Sequence, residues 1–182
     1  MNFPLYPRFQ AVLFDMDGTL LDTLSDMQDA VNHILLENGW PQRTLEEIRA
    51  FVGNGAAKLM ERAIPEPIAP QRFQEILSTY KGWYQAHNCV KTAPYPGIPE
   101  VLAELEKMGV KTAVVSNKPD ATTKALAEKF FPGMPALGQR DGVDPKPSPA
   151  LVAQALSDLG VRPENAVYVG DSEVDVATAR NA

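Results

Sequence analysis

Two aspartates that follow a short apolar run are the residues of this 182-residue chain best suited to chemistry. The run Ala11–Phe14 predicts a strand that is buried on both faces, and Asp15 and Asp17 follow it just before Gly18. Ligands bind at the carboxyl ends of strands in open α/β sheets. Two carboxylates about 4 Å apart repel by roughly 4 kcal/mol at an effective dielectric constant of about 20. A cation or a proton must therefore offset their repulsion.

Two further predicted strands end in polar residues. Ser116 and Asn117 follow the predicted strand Val110–Val115, and Asp171 follows Ala166–Val169. Strands that alternate with helices indicate a parallel sheet. Because parallel strands place their carboxyl ends on one edge, we expect these polar groups to converge with the two aspartates.

Two more charged groups belong to the same edge if the sheet is built in this way. Lys146 stands in the proline-rich segment Asp144–Pro149, between the third and fourth predicted strands. Asp171 and Asp175 are four residues apart, so they share a face if a helix begins there.

A helical block interrupts the alternation of strands and helices. Helical spacing of apolar residues, with no convincing strand, extends from Thr23 to Asn88. We therefore expect an α/β fold with a Rossmann-like parallel sheet core, formed by residues 1–22 and 94–182. Residues 23–93 would form a small helical cap domain, inserted after the first strand.

These residue types suit phosphoryl transfer. The carboxylate of Asp15 can form an aspartyl-phosphate, and Asp17 can protonate the leaving oxygen and then activate water. Ligands that are all oxygen favour Mg²⁺, with Asp15 and Asp171 as candidates. The remaining groups would bind or neutralise phosphate oxygens: the Lys146 ammonium, the Ser116 hydroxyl, and the backbone amides of Gly18 and Asn117.

Four motifs, in this order, resemble those of the haloacid dehalogenase-like phosphatase superfamily. They are Asp15–Thr19, Ser116, Lys146 and Gly170–Asp175. The resemblance implies that Asp15 is the nucleophile and Asp17 the general acid and base. It further implies that Mg²⁺ is held by Asp15, Asp171 and the backbone carbonyl of Asp17. It also implies that Thr19 binds substrate and that Ser172 and Asp175 support the other residues of the site.

A second resemblance concerns the cap. The segment Phe51–Ala56, with Glu61–Ala63, resembles bacterial phosphoglycolate phosphatases. A glycine-rich break between helices can present backbone amides to a small anion, so Gly53 and Asn54 are expected to bind substrate. The predicted reaction is hydrolysis of a small phosphate monoester, with 2-phosphoglycolate as the first candidate. A sugar phosphate, pyrophosphate and a phosphosugar mutase reaction are alternatives within this fold.

An alternative of another class is a phospho-receiver signalling domain. Such domains also combine an α/β sheet with a phosphorylated aspartate, Mg²⁺ and a lysine. They need neither a general acid two residues beyond the nucleophile nor a helical insert. Asp17 and residues 23–93 therefore favour the enzyme.

The end of the sequence departs from the superfamily pattern. Members usually continue past the fourth motif with a helix and a further strand, whereas this sequence ends at Ala182. We expect one edge of the sheet to be uncovered, which predicts lower stability or self-association. The oligomeric state stays open.

Composition narrows the class of partner. A formal charge of −6 without a basic stripe argues against nucleic acid. No apolar run approaches the roughly 18 residues of a membrane span, and Met1–Gln10 lacks the apolar segment of a secretory signal. The single cysteine, Cys89, fits a reducing compartment. We expect a cytoplasmic protein whose partner is a small phosphorylated substrate, with no membrane association.

Overall fold

A computed structural model describes residues 9–182 of the chain. These residues form two compact units. The sheet unit comprises Pro94–Ala182 and the described residues up to Leu21, and the helical unit comprises Asp22–Ala93. Most of the segment Met1–Gln10, in which we expect no secretory signal, lies outside the described residues.

The sheet unit is built on a four-stranded parallel sheet, so the predicted α/β fold class is confirmed. The strands of the described chain are β1 (Ala11–Phe14), β2 (Leu21–Asp22), β3 (Ala93–Pro94), β4 (Lys111–Pro119), β5 (Ala136–Gln139) and β6 (Ala166–Val169). Their order in the main sheet is β5-β4-β1-β6, and β2 pairs with β3 in a separate two-stranded sheet. The carboxyl end of β1 therefore lies between the ends of two parallel neighbours.

Helices occupy most of the remaining described chain. They are α1 (Leu24–Glu37), α2 (Leu45–Phe51), α3 (Gly55–Ala63), α4 (Pro70–His87), α5 (Ile98–Lys107), α6 (Asp120–Phe130), α7 (Ala150–Leu159) and α8 (Glu173–Asn181). Within residues 9–182, no helix has both the length and the apolar composition that crossing a membrane requires.

β1 is buried along its whole length, as its continuous apolar sequence predicts. On one face, its residues join a core cluster that includes Leu151 and Leu156 of α7. The edge strand β6 is less covered, since Val167 and Val169 are 36% and 37% exposed. Because β1 is buried, the position of the turn that carries Asp15 and Asp17 is fixed.

β4 runs further than the predicted strand Val110–Val115. It extends over Lys111–Pro119, so Ser116 and Asn117 lie within the strand and not after it. Its pairing with β1 ends at Val114, but its pairing with β5 resumes after a register shift and reaches the last residue of β4. β5 thus supplies the hydrogen bonds that extend β4 past the tip of β1.

The helical unit contains α1 to α4 and no strand over residues 23–88, as predicted. Thr44 is the N-cap of α2 and forms a capping box with Glu47. Its hydroxyl accepts a hydrogen bond from the Glu47 amide (3.2 Å), and the Glu47 carboxylate accepts one from the Thr44 amide (2.8 Å). The buried core of this unit includes Ile34, Ile48, Met60, Ile76 and Tyr80.

Asp26, in the first turn of α1, is a buried carboxylate that binds the last residues of the helical unit. It is 1% exposed. Its carboxylate accepts hydrogen bonds from the amides of Val90 (3.1 Å), Lys91 (2.9 Å) and Thr92 (2.9 Å), and from the Thr92 hydroxyl (2.8 Å). The segment that leads out of the unit is therefore fixed to its first helix.

Candidate active site

A tight turn follows β1 and carries the first two aspartates. The Asp15 amide donates to the Val169 carbonyl (2.9 Å), which continues the pairing of β1 with β6. Gly18 then adopts a φ of +81°, which favours glycine. A Cβ atom at position 18 would also overlap the carboxylate of Asp171. Glycine here permits the turn and leaves room for a third carboxylate.

Lys146 reaches this edge from the loop between β5 and α7, as expected. Its Nζ lies 2.9 Å from Asp15 Oδ1 and 2.6 Å from Asp175 Oδ1, and its side chain is 2% exposed. Burial disfavours the charged ammonium, but the surrounding oxygens, with Asp15 first among them, outweigh burial and raise the pKa of Lys146 above its usual range. The ammonium is therefore charged where the carboxylates meet.

Asp15 is held in an environment that disfavours its charge. Burial raises its pKa to about 6, because the ionised form loses hydration. The Lys146 ammonium acts in the opposite direction, and the carboxylates of Asp175 and Asp17 add to the rise. Although Lys146 Nζ is close, Asp15 Oδ1 has no hydrogen-bond partner of acceptable geometry among the described residues. A bound ion or a reacting group would satisfy this oxygen.

Three carboxylates form a cluster at the edge of the sheet. Asp15, Asp171 and Asp175 each offer an oxygen, and these oxygens all lie within 4.8 Å of one another. Partial burial, followed by the Asp175 carboxylate, raises the pKa of Asp171. Carboxylate oxygens are donors that a hard divalent cation such as Mg²⁺ prefers. Together with the unsatisfied Oδ1 of Asp15, this donor set fits such a cation.

Asp175 is positioned by a capping box. α8 begins at Glu173 with Ser172 as its N-cap, so Asp171 reaches the cluster from the turn before the helix and not from a helical face. The Ser172 hydroxyl accepts from the Asp175 amide (3.3 Å), and the Asp175 carboxylate accepts from the Ser172 amide (3.0 Å). Burial would raise the pKa of Asp175, but Lys146 and Ser172 outweigh it and lower that pKa.

Lys118 is a charged residue of the site that the sequence motifs do not identify. Its Nζ lies 2.9 Å from Asp17 Oδ1, and its side chain is 3% exposed. Lys146 is therefore not the only ammonium that lies against the carboxylates of this edge. The position of Lys118 two residues after Ser116 was the available signal, because alternate residues of a strand share a face.

Ser116 and Asn117 lie side by side in β4, and both are buried. The Ser116 hydroxyl accepts from the Lys118 amide (3.3 Å). The Asn117 side chain accepts from the Lys146 amide (2.7 Å) and donates to the Lys146 carbonyl (3.0 Å). The Asn117 side chain thus holds the loop that carries Lys146. The role of the Asn117 backbone amide in binding phosphate stays a prediction.

Tyr168 is a second residue that sequence reasoning missed. Its hydroxyl accepts a hydrogen bond from Lys146 Nζ (3.0 Å) and lies 3.0 Å from the Val115 carbonyl. A tyrosine in β6, two residues before the turn to Gly170, was the only signal in the sequence. A strand tyrosine most often serves packing, so the signal is weak.

The remaining predicted residues fall in two places. Thr19 lies in the turn after β1, and its hydroxyl oxygen is buried without a hydrogen-bond partner among the described residues. Gly53 and Asn54 belong to the helical unit, where they precede α3. Gly53 has a φ of +113°, and Asn54 accepts a hydrogen bond from Arg62 Nη2 (2.9 Å).

Comparisons with known proteins identify relatives. A phosphoglycolate phosphatase of Pseudomonas savastanoi pv. phaseolicola is 36% identical over an alignment length of 185, and the match covers 94% of this chain. The chain spans 65% of the length of that relative. The N-acetylmuramic acid 6-phosphate phosphatase of Pseudomonas aeruginosa is 33% identical over 178 residues, with 96% of this chain and 79% of the relative covered.

A solved structure and a protein family also match this chain. The crystal structure of a candidate phosphoglycolate phosphatase from Lactobacillus delbrueckii subsp. bulgaricus superposes with a TM-score of 0.88 at 36% identity, and covers 95% of this chain and 82% of that one. The family description "Haloacid dehalogenase-like hydrolase" matches residues 12–182. The resemblance inferred from the four motifs is thereby confirmed: the chain belongs to the haloacid dehalogenase-like hydrolase family.

Proposed function

We propose that this chain carries the catalytic residues of a Mg²⁺-dependent phosphatase, which hydrolyses a small phosphate monoester through an aspartyl-phosphate on Asp15. The observation that carries the proposal is the convergence of Asp15, Lys146 and Asp171 at one edge of the sheet. The two Pseudomonas relatives are phosphatases by name, which supports the same reaction class.

The proposed chemistry has two steps. In the first, an Asp15 oxygen attacks phosphorus, and the P–O bond to the leaving alcohol breaks as the acyl-phosphate bond forms. Asp17 donates a proton to the leaving oxygen. In the second, Asp17 takes a proton from a water molecule that attacks phosphorus, which releases inorganic phosphate and restores the Asp15 carboxylate. The location of both aspartates in one turn supports this division of roles.

The acidic cluster would hold the metal ion. The Asp15 and Asp171 carboxylates, with the backbone carbonyl of Asp17, are the proposed ligands. A bound Mg²⁺ supplies positive charge that neutralises phosphoryl oxygens. Asp175 has a supporting role, because its carboxylate is engaged by Lys146 and Ser172.

The phosphoryl group would be bound by donors around Asp15. Lys146 brings a charged ammonium to within 2.9 Å of Asp15 Oδ1, and such a charge favours a phosphoryl group over water. The other proposed donors are the hydroxyls of Ser116 and Thr19 and the backbone amides of Gly18 and Asn117. The buried hydroxyl oxygen of Thr19, which has no hydrogen-bond partner among the described residues, supports its place in this set.

We propose 2-phosphoglycolate as the first candidate substrate. The support is the name of the Pseudomonas savastanoi relative and the resemblance of the segment around Gly53 and Asn54 to bacterial phosphoglycolate phosphatases. The positive φ of Gly53 is compatible with a turn that presents backbone amides to a small anion. A phosphorylated sugar is the second candidate, because the Pseudomonas aeruginosa relative acts, by name, on N-acetylmuramic acid 6-phosphate.

A panel of phosphate compounds tests this function. Phosphate release is measured from 2-phosphoglycolate, a sugar 6-phosphate and pyrophosphate, each with Mg²⁺ and with a chelator. We expect release from 2-phosphoglycolate that requires Mg²⁺ and is absent from Asp15→Asn. Asp29→Asn is the matched control, since Asp29 pairs with Lys91 at the exposed surface of the helical unit. Equal release with chelator, or none from any compound, would contradict the proposal.

A further inference from the structure

Tyr168 faces the candidate site from inside the sheet unit. Its ring packs against the core cluster that β1, β4 and α7 share. In the register of β6 it lies beside Leu13 of β1, while its hydroxyl reaches the Val115 carbonyl of β4. Because β1 lies between β4 and β6, the side chain spans the width of the central strand. Three strands therefore determine the position of the hydroxyl.

The Tyr168 hydroxyl and the Lys146 ammonium are directly joined. Lys146 Nζ donates to the hydroxyl oxygen at 3.0 Å. A tyrosine hydroxyl has one proton to donate, and its acceptors here are the Val115 carbonyl (3.0 Å) and Asp175 Oδ1 (3.2 Å). With either acceptor, the oxygen still has a lone pair for the ammonium.

The Tyr168 hydroxyl adds a neutral acceptor to the contacts of the Lys146 ammonium. Lys146 stands in a loop, and its long side chain has many rotamers that must be restricted before Nζ takes one position. Asn117 fixes only the backbone of this residue. Asp175 Oδ1 accepts a hydrogen bond from Nζ (2.6 Å), whereas Asp15 attracts Nζ by charge. The Tyr168 hydroxyl, which is held in a strand, is a further acceptor that restricts where Nζ lies. Burial, above all, raises the pKa of Tyr168 well above its usual range, so the hydroxyl stays neutral.

We propose that Tyr168 is a positioning residue, whose hydroxyl holds the Lys146 ammonium where the phosphoryl group is to be bound. The kinetic consequence rests on the proposed function. The structural consequence, an ordered ammonium, does not. Tyr168 does not touch the reacting atoms in this account, and it acts through Lys146.

Tyr168→Phe tests the kinetic part, because it keeps the ring and removes only the hydroxyl. We expect kcat for 2-phosphoglycolate to fall by about tenfold, as for the loss of one hydrogen bond to a charged group, with a smaller change in KM. In a Lys146→Ala background, the same substitution should change the remaining kcat/KM by no more than about twofold. Tyr84→Phe, in the core of the helical unit, is the control for loss of a buried hydroxyl.

Nuclear magnetic resonance of ¹⁵N-lysine-labelled protein tests the structural part. A protected ammonium signal, assigned to Lys146 by its loss in Lys146→Ala, should shift or broaden in Tyr168→Phe and stay unchanged in Tyr84→Phe. The proposal is overturned if this signal is absent from the parent protein or unaffected by Tyr168→Phe. An equal fall in activity with and without Lys146 would also overturn it. A parent protein that releases no phosphate contradicts the proposed function alone, and the ammonium signal then decides the role of Tyr168.

Discussion

The Lys118 ammonium lies 2.9 Å from Asp17 Oδ1, and the two side chains are 3% and 14% exposed. This ion pair puts a second lysine in a site whose motifs supply only Lys146. It also gives the proposed general acid and base a fixed charged neighbour. Removing one partner of a pair that is shielded from water leaves the other charge uncompensated. The pair should therefore contribute to both stability and activity.

Lys118→Met should lower the free energy of unfolding by about 2 kcal/mol. This is below the roughly 3–5 kcal/mol typical of breaking a buried pair, because Asp17 keeps some exposure. The matched control is Lys107→Met, whose pair with Glu104 has side chains that are 70% and 65% exposed. Such exposed pairs contribute little. Urea unfolding of the two variants gives the comparison. Equal effects would mean that the Lys118 pair behaves as a surface pair.

Gly18→Ala should abolish metal binding. The added Cβ would overlap the Asp171 carboxylate, one of the proposed ligands. Gly142→Ala is the matched control, since Gly142 has a similar φ (+77° against +81°) and no atom within 4 Å of an added Cβ. Both variants should lose roughly 1 kcal/mol of stability from backbone strain. Calorimetric titration should then show Mg²⁺ binding to Gly142→Ala and none to Gly18→Ala. Equal Mg²⁺ affinity in both variants would refute the assignment of Asp171 as a ligand.

The pH dependence of stability should report the environment of Asp15. Its pKa rises from an ordinary 3.8 to about 6 in the folded protein. The unfolded chain therefore ionises first as the pH increases, and the folded state loses stability between about pH 4 and pH 6. At 1.36 kcal/mol per pH unit, the loss at pH 7 is at most about 3 kcal/mol.

Asp15→Asn should remove this loss. In the presence of a chelator, the variant is expected to be more stable than the parent at pH 7. The difference should shrink below pH 6 and vanish near pH 4. Urea unfolding at several pH values measures it. A difference that stays constant over this range would contradict the raised pKa.

Asp26→Asn should destabilise the helical unit by roughly 2–4 kcal/mol, because one acceptor oxygen is replaced by a donor that faces buried amides. Asp29→Asn, on the same helix, should change stability by less than about 0.5 kcal/mol, as its ion pair is exposed. Thermal unfolding checks both variants. If the two midpoints shift equally, the contacts of Asp26 with residues 90–92 are not a main source of stability.

Local sequence signals predicted much of the fold. The apolar run before Asp15 was sufficient to predict β1, because a strand that is covered on both faces has no polar positions. The start of α2 is local in the same sense, because the capping box joins Thr44 to Glu47, three residues later. These features depend on neighbours in sequence, so the sequence alone was sufficient.

The parts that were missed depend on neighbours in space. β4 extends to Pro119 because β5 pairs with it beyond the tip of β1. Lys118 and Tyr168 enter the site through the packing of strands that are far apart in the chain. A lysine or a tyrosine at these positions is compatible with ordinary surface or core roles. Only the assembled sheet distinguishes those roles from a place beside Asp17 or Lys146.

Chemical trapping of the proposed intermediate tests the central claim most directly. The protein is mixed with 2-phosphoglycolate and Mg²⁺, quenched, reduced with borohydride, and digested for peptide mass spectrometry. An aspartyl-phosphate is reduced to homoserine, so we predict homoserine at position 15, and neither homoserine nor phosphate release in Asp15→Asn. Phosphate release with an unmodified residue 15, or with homoserine at position 17 or 171, would contradict the account.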